Sequence, residues 1–482
     1  MSKPNFIFIL IDDMGWKDLG CYGSAFYQTP NLDRLSEEGV CFTNAYASCP
    51  VCSPTRASIL TGKYPATVGV TNYIPGHTRG KLIGAPYTHY LPLEEKSLAK
   101  ALKEGGYNTW HVGKWHLGNE PYYPDKHGFD VNIGGCHWGM LRNGYFSPWG
   151  IPTLEDGPEG EYVTDRLTDE AIRLIMDNGG APFYLNICYY SVHVPIQAKK
   201  ETIEKHQARA RDMGLDKLKT FEEGDFFPCE HKKDRRIIRR LLQSDPAYAA
   251  MVEHLDENIG RLLKAVYEAG QTENTVVIFT SDNGGLATAE GSPTCNAPLS
   301  EGKGWMYEGG TREPLIIKWP GVVKPGSLCD VPVTSPDFYP TMLEMAGLDL
   351  IPEQHCDGVS FLPLLKGTGA LEGFDTLGLD TSLRSYSTGA TQPKREAIFW
   401  HYPHYGNQGG TPGCSVRCGD YKLIEFFEDG RVELYNLRED VSEDHNLADE
   451  EPQVTKDLKT MLADWREKVK AKIPEPNPDY IS

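Results

Sequence analysis

The chain has 482 residues, with 48 Lys and Arg against 67 Asp and Glu, a formal charge of −19. That length calls for two domains, or one large domain with an appendage, and 40% hydrophobic with 24% charged residues describes a globular chain with a large core. The acidic balance argues against nucleic acid and anionic lipid as partners, the apolar runs are too short for a membrane span, and an anionic substrate would need a local cationic pocket.

The elements follow in chain order. Phe6 to Ile11 is a continuous apolar run ending in Asp12-Asp13. It predicts a strand covered on both faces, with its acidic pair at the carboxyl end, where open α/β sheets bind ligands. It is too short for a signal core, and no secretory signal precedes the twelve scattered cysteines, so reduced thiols and a cytoplasmic address are expected. Asn31 to Glu38, closed by Gly39, and Leu98 to Lys103, ended by Gly105-Gly106, read as short helices. Thr164 to Met176 reads as a helix and Phe183 to Ile187 as a strand.

The stretch 199–240 is densely charged and reads as a solvated helical insertion, with a partner-binding patch as the other reading. Pro246 to Ala269 predicts a long helix stopped by Gly270. Thr275 to Thr280, followed by Ser281-Asp282-Asn283-Gly284-Gly285, repeats the pattern of the first strand, so four oxygen-bearing side chains converge if both strands share a sheet. A Gly-, Thr- and Ser-rich stretch at 366–393 reads as a linker. Tyr421 to Phe427 and Arg431 to Tyr435, joined through Gly430, predict a hairpin, and Glu451 to Ala471 a last helix. The expected architecture is α/β: a large mixed, mostly parallel sheet sandwiched by helices (residues 1–375), with a smaller C-terminal antiparallel-sheet-plus-helix subdomain (376–482).

Three stretches could carry chemistry. In Cys52-Ser53-Pro54-Thr55-Arg56, Ser53 reads as an N-cap and Pro54 as a first-turn residue. Cys52 then sits beside a helix N-terminus that favours a thiolate or an oxyanion, with Arg56 one turn in; a buried structural cysteine is the plainer reading. Lys114 and His116, two apart in an extended segment, project to one side and suit a cation beside a titratable group. The aromatic and His-rich run Trp400 to Gly410, with His401 and His404, and Arg417 beyond it, reads equally as a sugar-stacking surface and as packing between the domains.

Cys52-Ser53-Pro54-Thr55-Arg56 followed by Ala57-Ser58-Ile59-Leu60-Thr61-Gly62 resembles the signature of the type I sulfatases, in the alkaline-phosphatase-like superfamily. Gly106 to Leu117 resembles their second signature, and the likeness extends over about residues 3–348, and loosely over 396–447. The resemblance implies that Cys52 is oxidised by a maturation enzyme to formylglycine, whose hydrated aldehyde is the nucleophile. It implies Asp12, Asp13, Asp282 and Asn283, with residue 52, as ligands of a divalent cation. Their hard oxygen donors indicate Ca²⁺, with Mg²⁺ possible, over Zn²⁺. It further implies catalytic roles for Arg56, Lys114, His116, His193 and Lys303. Where relatives often carry a hydroxyl side chain near the sulfate, this chain has Gly135-Cys136-His137-Trp138, which places His137 at the substrate. The expected reaction is exo-acting removal of sulfate from a small saccharide of galactose or N-acetylgalactosamine type. A phosphonate or phosphodiester hydrolase of the same superfamily, and an inactive glycan-binding relative, are the alternatives.

Overall fold

A computed structural model describes residues 3–76, 79–367 and 395–480. The predicted linker, apart from residues 366 and 367, and the predicted boundary at 375/376 fall outside the described residues.

A nine-stranded sheet forms the centre. From edge to edge its strands are Ser327–Cys329, Val40–Tyr46, Arg312–Lys318, Thr275–Ser281, Asn5–Ile11, Phe183–Cys188, Asn108–Gly113 and Val131–Ile133, with Val333–Thr334 also paired to Val40–Tyr46. Arg312–Lys318 pairs antiparallel with both its neighbours, and the other pairings are parallel. Period-two alternation explains why the Asn5–Ile11 strand is apolar throughout. Ile7, Ile9 and Ile11 enter a core with the helices Pro30–Glu38, Val163–Met176 and Pro246–Glu268. Phe6, Phe8 and Leu10 enter a second core with Cys52–Thr61, Leu98–Glu104 and Phe338–Met345. Each side chain buried this way contributes about 1.5–3 kcal/mol, so a polar residue on either face would be costly.

The long helix starts where its signals lie. The Asp245 carboxylate accepts the Ala247 and Tyr248 N–H groups at 2.9 and 3.2 Å, Pro246 opens the first turn, and Gly270 follows in the left-handed region. The insertion at 199–240 is α-helical only at Lys200–Asp212, with single 3-10 turns at Leu215–Lys217 and Glu230–Lys232, which corrects the all-helical expectation. Beyond it Phe221–Phe226 pairs antiparallel with Arg236–Arg240. Ile237 is buried while Ile238 is exposed, the alternation of a ribbon over a surface rather than of a helix.

In the C-terminal part Ile398–Tyr402, Gly413–Cys418, Tyr421–Phe426 and Val432–Asn436 form the expected antiparallel sheet. One face packs Val416, Leu423 and Leu434 on Leu458, Leu462 and Trp465 of the helix Pro452–Lys468. The other packs Trp400, Tyr402 and Ile424 on Tyr46, Cys49, Val51 and Met306. The small sheet thus buttresses the segment that leads into Cys52.

Candidate active site

Four adjacent parallel strands deliver the site at their carboxyl ends: Thr275–Ser281 leads to Asp282-Asn283, Asn5–Ile11 to Asp12-Asp13, Phe183–Cys188 to the loop with His193, and Asn108–Gly113 to Lys114. Val40–Tyr46 runs the same way and leads to the helix Cys52–Thr61, while Lys303 lies in the loop before the opposed strand. Adjacent strands of one sheet therefore bring together residues almost 300 positions apart in the chain (Asp12 to Lys303).

The helix begins two residues earlier than expected. Val51 holds the N-cap position and Cys52 the first helical position. Ser53 does not cap; its hydroxyl donates to the His116 carbonyl at 2.9 Å and accepts the Ile74 N–H at 3.2 Å. Pro54 is still accommodated, since no early helical N–H has an intrahelical partner. Cys52 Sγ is 3.2 Å from His116 Nδ1. Burial raises the Cys52 thiol, with Lys114 and Lys303 opposing, so the sulfur is a neutral thiol rather than a reactive thiolate.

Three carboxylates face three cations. Lys114 Nζ reaches both Asp12 oxygens at 2.8 and 2.6 Å. Arg56 Nε donates to Asp282 Oδ2 at 2.8 Å, and its Nη1 to the Lys114 carbonyl at 3.0 Å. Lys303 Nζ donates to Asp13 Oδ2 at 2.7 Å and to His193 Nε2 at 3.0 Å. Burial pushes Asp282 up to about 6. Burial acts the same way on Asp13, but Lys303 and His193 beside it hold that carboxyl well below its usual range. Asp13 and His116 have φ of 65° and 58°, a strained conformation for residues with a side chain. It costs of order 1–3 kcal/mol each and is held by the surrounding packing.

The two histidines are neutral with assigned tautomers. His116 Nε2 lies 2.6 Å from the Ile74 carbonyl, which can only accept, so Nε2 carries the proton and the Nδ1 lone pair faces Cys52. His193 Nδ1 likewise donates to the Val194 carbonyl at 2.9 Å, leaving Nε2 to accept from Lys303. Burial, with Lys303 second, lowers His193 to about 4, and burial, with Lys114 second, puts His116 well below its ordinary value.

The donor set fits a hard dication. Asp12, Asp13 and His193 bring one ligand atom each within 4.8 Å of one another, as do Asp12, Cys52 and Asp282. Asn283 Nδ2 donates to Asp13 Oδ1 at 2.8 Å, yet Asn283 Oδ1 is buried without a hydrogen-bond partner among the described residues. Such an orphan costs about 1–3 kcal/mol, and a cation coordinated by Asp12, Asp13, Asp282 and Asn283 would satisfy it.

The sequence-derived substrate residues divide. His137 is half-buried, has its Nδ1 2.9 Å from the Tyr123 hydroxyl, and follows Cys136, whose carbonyl accepts the His116 N–H at 3.0 Å. It stands on the rim. The other three are not brought to the cluster. His401 is buried between Phe427 and Trp465, with Nε2 donating to the Lys472 carbonyl at 2.8 Å. His404 is buried, with Nε2 at 2.9 Å from Thr71 Oγ1. Arg417 is buried against Tyr46, its guanidinium bonded to the Tyr46 hydroxyl. The partners described for all three belong to the protein itself, and direct substrate contact by them stays a proposal. Missed by sequence reasoning were the Ile74 and Val194 carbonyls that set the tautomers; backbone acceptors leave no residue signature.

The family model described as sulfatase matches residues 4–348, and that of the N-sulphoglucosamine sulphohydrolase C-terminal region matches residues 379–468. A sulfatase of Formosa agariphila is 32% identical over 95% of this chain and 87% of its own. The N-acetylgalactosamine-6-sulfatase of Homo sapiens is 33% identical over 76% of this chain, which spans 66% of that protein. Among solved structures, Ps i-CgsB in complex with k-i-k-neocarrahexaose superposes with a TM-score of 0.72 at 28% identity, over 96% of this chain and 93% of that one. With a sulfatase model matched over residues 4–348, which include the whole nine-stranded sheet, the chain belongs to the sulfatase family of alkaline-phosphatase-like hydrolases.

Proposed function

We propose that the protein releases sulfate from a saccharide, acting at a chain end on galactose or N-acetylgalactosamine sulfate, with formylglycine made from Cys52 as nucleophile and a divalent cation, Ca²⁺ before Mg²⁺, as cofactor. The observation that carries this reading is the position of Cys52 Sγ, 3.2 Å from an unprotonated His116 nitrogen and within 4.8 Å of carboxylate oxygens of Asp12 and Asp282. The proposal includes a maturation enzyme as partner. It takes residues 1–375 as the catalytic domain and 376–482 as an α+β subdomain. Among the described residues no helix is long and apolar enough to cross a membrane. A cytoplasmic address with small imported saccharides is part of the proposal, supported by twelve cysteines free of disulfides.

When formed, the hydrated aldehyde supplies one hydroxyl to attack sulfur and a second whose deprotonation expels sulfate and restores the aldehyde. The cation supplies Lewis-acid stabilisation of the sulfuryl oxygens. Asp12, Asp13, Asp282 and Asn283 hold that cation. Lys114, Arg56 and Lys303 add fixed positive charge where negative charge develops in the transition state. Lys303 carries the proton shared with His193 Nε2, and this pair protonates the leaving sugar oxygen. His116, with its Nδ1 lone pair on residue 52, takes the proton from the second hydroxyl. His137 contacts the sugar from the rim. His116 and the Lys303–His193 pair give the nucleophile and the leaving oxygen each its own proton-transfer group. The test is a panel of mono-sulfated sugars assayed beside matched phosphate and phosphonate esters. Sulfate release from a galactose or N-acetylgalactosamine sulfate is expected, and turnover confined to the phosphorus esters would replace this reading by the hydrolase alternative.

A further inference from the structure

The ribbon inside the charged insertion has a character opposite to that of the chain. Between Cys229 and Arg240 lie Lys232, Lys233, Arg235, Arg236, Arg239 and Arg240 against Glu230 and Asp234. In a protein of charge −19 this is a local reversal of sign. Four of these cations are committed internally. Arg236 pairs with Glu223 at 2.9 Å, Arg239 with Glu301 at 2.6 Å and Arg240 with Asp245 at 3.3 Å, while Lys232 Nζ donates to the Asn407 carbonyl at 2.8 Å and lies 3.9 Å from Glu290. The exposed Arg235 has no side-chain hydrogen bond or ion pair among the described residues.

Arg235 lines a cavity of about 410 Å³ walled by Phe221, Phe227 and Ile238, with Lys232, Arg236 and Glu290 also on its lining. Phe221 and Ile238 are 39% and 40% exposed, with Arg240 over the Phe221 ring at 4.5 Å. This exposed apolar surface beside an unpaired guanidinium matches a sugar ring that carries an anion. The ring stacks on the apolar wall, and the guanidinium takes a sulfate or carboxylate through two N–H groups. A small free anion would not use the apolar wall.

The cavity is joined to the active site by packing. Phe227 and Ile237 form a cluster with Leu286, Ala289 and Tyr405, and Val194 and Trp305 pack against it. Val194 follows His193, and Trp305 lies two residues after Lys303, so the ribbon abuts the pair assigned to the leaving oxygen. The remainder of a saccharide extends from that oxygen. We propose that this cavity is a second subsite, which takes a neighbouring sugar bearing its own sulfate or carboxylate, so that the preferred substrate is a doubly anionic saccharide of at least two rings. This rests on the sulfatase reading above.

The test is calorimetric binding to the full chain carrying Cys52→Ala. The probes are a digalactoside sulfated on one ring, one sulfated on both, and a sulfated galactose linked to a uronate. With Arg235 intact, at least one doubly anionic probe binds about tenfold more tightly than the singly sulfated one, the scale of one charged hydrogen-bonded contact. Adding Arg235→Ala removes most of that preference, and Arg235→Lys retains part of it. The uronate probe reports whether carboxylate serves as well as sulfate. Equal affinities with Arg235 intact, or a preference unchanged in Arg235→Ala, overturns the subsite. Separately, a Cys52 chain, matured to the aldehyde, that releases no sulfate from any probe overturns the sulfatase reading; an Arg235-dependent preference in the same protein would leave the subsite standing.

Discussion

Because His193 Nε2 accepts from Lys303 and cannot itself donate, the proton for the leaving oxygen resides on Lys303 and is relayed through a pair rather than a single acid. Loss of a general acid matters in proportion to the basicity of the leaving group. His193→Ala is therefore expected to lower kcat/KM for a sugar sulfate by about 10²–10⁴, and to lower it much less for 4-nitrophenyl sulfate, whose phenolate leaves unaided. Equal losses on both esters would remove the pair from proton transfer. Cys52→Ala is expected to abolish turnover while leaving the melting temperature close to that of the parent, since a small buried thiol is lost from a site held by ion pairs. At this scale the cluster was legible because its members sit in short, dense stretches at strand ends. The surroundings of His401, His404 and Arg417 were not, since an aromatic, His-rich run looks the same whether it stacks on a sugar or on Trp465. Composition does not report what a side chain is buried against.

The C-terminal sheet is tied to the catalytic body by a buried triad. Lys422 Nζ lies 2.9 Å from Glu308 and 3.0 Å from Glu443, all fully buried side chains or nearly so. Burial pushes Glu443 up to about 7. Glu308, for which burial is outweighed by Lys422 and Arg312, is held down at about 2. Lys422→Met strands a buried carboxylate and is expected to cost about 3–5 kcal/mol in urea unfolding. Glu443→Gln, which replaces a group about half protonated at pH 7, is expected to cost less than Glu308→Gln, which replaces a full charge; the reverse order would contradict the charge assignment. The elements themselves were mostly readable. The Asn5–Ile11 and Thr275–Ser281 strands announce themselves by apolar runs too short for buried helices, and Pro246 and Gly270 bracket the long helix. The ribbon at Phe221–Arg240 was hidden because its charge density mimics a solvated helix, while its alternation rests on few apolar residues such as Ile237 and Ile238.

On the scale of the molecule, three carboxylates and an orphaned amide oxygen meet at the edge of a sheet whose strands are distant in sequence. A cation binding there joins Asp12-Asp13 to Asp282-Asn283 and so ties two strands of the folded state, with no such site in the unfolded chain. Chelation is expected to remove activity and lower the melting temperature, and added Ca²⁺ to restore both. An ion held at 100 times its Kd stabilises by about 2.7 kcal/mol. An unchanged melting curve after exhaustive chelation would contradict the cation site. The sheet order itself could not be read from the chain, because parallel pairing between remote segments leaves only the shared apolar pattern of each strand. Peptide mass spectrometry across Cys52, on preparations of graded specific activity, tests the proposed nucleophile. Sulfate release is expected to rise in proportion to the fraction carrying the aldehyde and to vanish where only the thiol is present; full activity in a preparation that is wholly thiol would contradict the formylglycine proposal.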